Sequence, residues 1–180
     1  MKETPRRYPP VADRLIACLM DVERHVSSSG WDQPARLFAL VTTGTLLEVE
    51  PQLKGRVPET MPDALTAIEQ DEFHATDDLF ARLAAIYWPD TVEGCAIALE
   101  RAFLPPEFEA DIPEDPDQAA EFVMRHPSKT DVRVVVGVLR EGTKHGLARL
   151  QSNPDDLLGA EDLVPGLADA LLDTFRSEDT

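Results

Sequence analysis

Apolar residues recur along the chain in two periods, and the switching between them outlines the elements. Val11, Leu15, Cys18, Val22 and Val26 stand three and four apart, which puts one stripe on a helix. Ser27-Ser28-Ser29-Gly30 closes it, with Gly30 suited to a left-handed cap. Arg36 to Thr43 is strand-like by composition, Gly44 to Glu50 reads as a short helix, and Leu65 to Glu69 as a short strand. Thr76-Asp77-Asp78 starts a helix, since a capping hydroxyl and two carboxylates face the positive end of the dipole. Leu79, Phe80, Leu83, Ala84 and Tyr87 give that helix its apolar face, and Trp88 falls outside it because Pro89 follows.

Further on, the period of two takes over. Gly94 to Leu104 alternates Cys95, Ile97, Leu99 and Phe103 with Ala96, Ala98 and Ala102, a strand with a bulky and a small face. Asp115-Pro116-Asp117-Gln118 opens a helix that stops at His126, before Pro127. Val132 to Leu139 is apolar on both faces, as a central strand covered on both sides must be. Arg140 to Thr143 turns it back into an antiparallel Lys144–Leu150 strand. A two-residue loop there sets Gly137 opposite Gly146 and leaves a bare notch, whereas a type I turn with Gly142 in a bulge shifts the register. Val164, Leu167, Leu171 and Phe175 mark a closing helix. With its one clear pairing antiparallel, the order predicts an α+β fold: a four- or five-stranded, mainly antiparallel sheet packed by helices. Residues 11–176 form one domain in this reading, with tails at 1–10 and 177–180.

Composition narrows the partners. Thirty-four acidic and seventeen basic residues among 180 give a net charge of −17. Such a surface opposes phosphate backbones and anionic lipid heads, so neither nucleic acid nor a membrane is an expected partner. The acid is concentrated, with six carboxylates from Glu107 to Asp117 and eight from Gln151 to Thr180, while Arg101, Arg133, Arg140 and Arg149 lie in strands or turns of the sheet. A partner of this chain is therefore expected to present a basic surface. The apolar run from Leu15 to Met20 is too short for an export signal, and no uncharged stretch spans a bilayer. Cys18 and Cys95 stand far apart in apolar surroundings, which suits a reducing, cytoplasmic setting rather than a disulfide framework.

Candidate chemistry is sparse. Gly137 to Lys144 approaches a phosphate-binding loop, but Thr143 and Lys144 are in swapped order and no helix follows to present its amides. Cys18, Asp21 and His25 share a helical face and are legitimate zinc ligands, yet Cys18 belongs to the apolar stripe. His74 sits among carboxylates that would raise its pKa, with nothing nucleophilic beside it. The acidic loop lacks the spacing of a calcium loop. Glu100 and Arg101 interrupt an apolar strand on opposite faces, as a structural pair or as part of a polar pocket. Trp31 and Trp88 stand in connectors, positions that serve interfaces or cap cores. No cofactor, metal or catalytic constellation is indicated. The binding candidates are Trp31, Trp88, Glu100, Arg101 and His145, the last beside the glycine notch.

Gly30–Thr43 (GWDQPARLFALVTT), Trp88–Arg101 (WPDTVEGCAIALER), Leu104–Pro116 (LPPEFEADIPEDP), Val134–Gly142 (VVVGVLREG) and Asp162–Leu172 (DLVPGLADALL) together resemble an uncharacterised protein family of actinobacteria, over about Ala12 to Phe175. The resemblance implies a cytoplasmic, single-domain protein of unknown function and carries over no activity or site residue. Two readings follow: a non-enzymatic soluble domain acting through protein–protein interaction, or a small-molecule-binding protein or enzyme with a polar pocket on the sheet.

Overall fold

The structure is a computed structural model that describes residues 10–53, 64–73, 79–104, 106–161 and 163–175. Its elements run α1 (Pro10–Ser27), β1 (Arg36–Thr42), α2 (Thr43–Val49), β2 (Leu65–Glu69), α3 (Leu79–Ala84), β3 (Gly94–Phe103), α4 (Pro116–Arg125), β4 (Thr130–Leu139), β5 (Lys144–Leu150), β6 (Asn153–Ala160) and α5 (Pro165–Asp173). The six strands form one antiparallel sheet in the order β2-β1-β3-β4-β5-β6, with helices on both faces. The fold is thus α+β. The expected tails lie outside the described residues except for Pro10, and so do His74 and the Thr76–Asp78 helix start.

The alternation along β3 decides which face each helix takes. Ala96 and Ala98 leave a shallow surface on which α1 lies, burying Leu15, Leu19 and Val22 with Phe38, Leu40 and Val135. At Gly137 of β4 a Cβ would stand 2.5 Å from Leu19 Cδ2, so the glycine is the socket for that leucine. A side chain such as Leu19, fully buried here, contributes roughly 1.5–3 kcal/mol. On the opposite face Leu37, Ile97 and Val136 meet Leu83, Trp88, Leu167 and Leu171.

Two expectations are corrected, and one open alternative is resolved. The sheet has six strands rather than four or five. The additional one, β6, is exposed on both sides except at Leu157, so it has no period of two by which to be recognised. Of the two turns open to the hairpin, the structure takes the bulged one: Val138 pairs with Lys144, Leu139 N donates to Thr143 O, and Gly142 adopts φ +117°. Gly137 therefore faces His145 and Val136 faces Gly146. The notch that a two-residue loop would leave does not form: Leu19 fills the space over Gly137, and Leu163 stands 2.9 Å from where a Gly146 Cβ would lie. Lastly, α3 ends at Ala84, and Tyr87 lies beyond it, exposed rather than on an apolar helix face.

Candidate functional site

The two faces of the sheet carry different concavities. On the α1 face a cleft of about 370 Å³ is lined by Glu23, Arg133, Arg149, Ser27 and Trp31. Glu23 comes from the sheet-facing side of α1 and the arginines from neighbouring positions of β4 and β5, which the register sets opposite one another. Arg149 donates to Glu23 through Nε (2.5 Å) and Nη2 (3.1 Å), and through Nη1 to the Pro154 carbonyl. Arg133 donates to Ser27 Oγ and Gly30 O, both at 2.7 Å, and its guanidinium lies 4.3 Å from the centre of the Trp31 ring. Burial opposes ionisation of Glu23, but the hydrogen bonds from Arg149 and Ser27 and the charges of Arg149 and Arg133 outweigh it and hold the carboxyl below its ordinary range. These charges are engaged with one another, so the cleft moors the end of α1 to the sheet.

The opposite face holds a larger groove of about 610 Å³. Leu37, Ala39 and Val41 of β1 and Ile68 of β2 line its sheet side, and α2 borders it through Leu46 and Val49. The sequence turns α2 out of the sheet locally. Thr42 caps the helix by accepting from Thr45 N (3.2 Å), while Thr43 N donates to Ala64 O (2.8 Å) and ties the helix start to β2. The residues after α3 line the groove with Ile86, Tyr87 and Trp88. Val49 is 60% exposed and Tyr87 65%, and Ile68 is also open to solvent, so the apolar surface continues from the groove onto its rim. Of the charged residues lining it, Glu50 and Glu72 outnumber Arg82.

The residues singled out by sequence are dispersed over this frame. Trp88 lines the groove but is itself core: it is buried, its Nε1 donates to Thr174 Oγ1 (2.8 Å), and it stacks on Phe175. Trp31 is half-buried under Arg133 on the other face. Glu100 accepts from the backbone amides of Asp32 and Gln33, both at 2.8 Å, and so holds the connector in which Asp32 takes φ +64°. Arg101 is exposed at the far end of β3. His145 is half-buried in β5, where burial pushes its pKa down against the charge of Glu161. Cys18 and Cys95 are buried thiols pushed up to about 12 by that burial, which keeps both neutral.

Sequence reasoning did not find the groove-lining Val49, Ile68 and Tyr87, nor the Glu23–Arg133–Arg149 cluster. Only the odd exposure of apolar residues at element ends could have pointed to the first. Among the described residues no group of three or more histidines, cysteines or carboxylates is arranged to hold a metal ion, and no helix is long and apolar enough to cross a membrane. A family profile described as PPA1309-like protein matches residues 15–176. No curated protein and no solved structure matches the chain.

Proposed function

The chain belongs to the PPA1309-like protein family, an uncharacterised one, and from that premise we propose that it is a non-enzymatic cytoplasmic domain whose groove docks a protein partner. The observation that carries this reading is the continuity of apolar surface from the groove lining to the exposed Val49, Ile68 and Tyr87. A pocket for a small molecule closes over its ligand and buries most of it. An apolar rim left in water instead favours a partner broad enough to cover it, and contiguous exposed apolar surface of this kind marks interaction sites. An exposed Tyr87 beside apolar Val49 and Ile68 matches the enrichment of aromatic residues at interfaces. The carboxylates at the edge and the overall charge of −17 favour a partner that is basic around its apolar anchors.

Val49→Lys tests the reading. Val49 is exposed at the last residue of α2, where a cation suits the helix dipole, so the fold tolerates the change. Immobilised wild type, Val49→Lys and a control, Leu158→Lys on β6, are compared for capture from native lysate by quantitative mass spectrometry. Proteins held by the wild type and the control are expected to drop at least about tenfold on Val49→Lys, the effect of losing one interface anchor. Equal capture by all three variants would contradict docking in the groove.

A further inference from the structure

Resting on that reading of the groove, we propose that the partner segment binds as an added strand on the outer edge of β2, an extended stretch of another protein with alternating apolar residues and Lys or Arg at its ends. The sheet has two edges, and they differ in how they are guarded. β6 carries Pro154, Asp155 and Asp156, the residues that discourage edge pairing. β2 (LTAIE) carries no proline, and its single charge is already taken: Arg36 donates to Glu69 through Nε (2.7 Å) and Nη2 (2.5 Å).

The ladder shows which backbone groups are on offer. Gln70 N donates to Leu37 O and Thr43 N to Ala64 O, so the even-numbered residues of this stretch bond to β1. By the alternation of an antiparallel pair, the N–H and C=O groups of Leu65, Ala67 and Glu69 then turn away from β1, and among the described residues no strand pairs with them. Side chains follow the same alternation. Leu65 and Ala67 pack toward α1, whereas Ile68 lines the groove. A strand laid along this edge therefore places every second side chain beside Ile68 on the groove face. Main-chain bonds supply affinity in this mode and the alternate side chains supply selectivity. Glu50 and Glu72 on the groove draw basic ends to the segment. A second copy of this chain, itself at −17, is repelled by the same field.

The test uses the full chain and a fluorescein-labelled peptide of about ten residues, alternating Val and Thr between lysine pairs, the length of strand an edge of this size accepts. Two analogues carry N-methyl groups on one or the other set of alternate amides. Anisotropy is expected to show binding of the parent, at least about tenfold weaker binding of one methylated analogue, and little change for the other. Ala67→Pro, which removes an outward donor but no bond to β1, should weaken the parent to a similar degree, and amide exchange at Ala67 and Glu69 should slow in the complex. If both methylated analogues and Ala67→Pro bind like their parents while Val49→Lys is impaired, strand addition falls and side-chain docking in the groove stands. If the parent peptide does not bind, strand addition falls, and capture by wild type against Val49→Lys decides docking in the groove separately. A dimer in light scattering that protects the same amides would overturn the proposed partner in favour of a second copy. Should Ala67→Pro fail to fold, the two methylated peptides decide alone.

Discussion

Glu23→Ala is expected to destabilise the protein by about 3–5 kcal/mol, the cost of removing one member of a buried ion pair. Glu23 is 3% exposed and its carboxylate is shared by Arg133 and Arg149. Arg149 retains contact with water, but Arg133 is 2% exposed and its Nε already lacks a hydrogen-bond partner. Without Glu23 this guanidinium stays buried, bonded to Ser27 and Gly30 and against the Trp31 ring with Arg149 beside it, which leaves its charge uncompensated. Glu23→Gln keeps the shape and an acceptor and should lose less. Urea unfolding, read as a shift of midpoint at constant slope, measures both. The sign with pH follows from the depressed carboxyl. Its folded pKa lies below the unfolded value of about 4.3, so the stabilisation is complete above that value and fades as pH falls through the folded pKa. Glu23→Ala should accordingly show a shallower loss of stability on the acid side than the wild type. A loss below about 1 kcal/mol at neutral pH would mean that the cluster does not moor α1.

Trp88→Ala should cost a comparable amount, about 3–5 kcal/mol, because a large ring leaves a cavity the core closes only in part. The indole is 5% exposed and packed on Phe175, whose ring also has the Arg140 guanidinium 4.7 Å from its centre. Trp88→Phe retains most of the ring and forfeits the bond to Thr174 Oγ1, a net loss of about 1 kcal/mol beyond the change in volume. Thr174 keeps its bond to Leu171 O (2.5 Å), so no buried donor is stranded. Thermal unfolding separates the two substitutions. A Trp88→Ala protein as stable as the wild type would show that the ring serves only the groove.

The parts of the fold that were legible in sequence are those where one physical constraint dominates. Val134 to Leu139 is apolar throughout because β4 is covered on both faces, and its burial follows that run. The short LTAIE strand and the helix from Pro116 also stand where the pattern puts them. β6 was illegible because a strand wet on both faces needs no alternation. The hairpin register turned on one residue: the bulged turn needs a positive φ at Gly142 alone, and with Glu141 at the adjoining position that was the easier geometry. The candidate residues fared differently. Glu100 was conspicuous as a charge in an apolar strand, and its partners are two backbone amides, which no residue pattern encodes. The Glu23 cluster joins residues 126 positions apart, so only the sheet register brings them together. The groove is a space left between α2, the end of α3 and β1, and a space has no sequence.

The claim that the groove receives a protein is tested most directly by a benzophenone side chain introduced in place of Tyr87, an exposed residue lining the groove, with the same group at Leu158 as control. Irradiation in the native cell is predicted to give a discrete covalent adduct with another protein from position 87 and none of that mass from position 158. No adduct at 87, or the same adducts from both positions, would contradict the account.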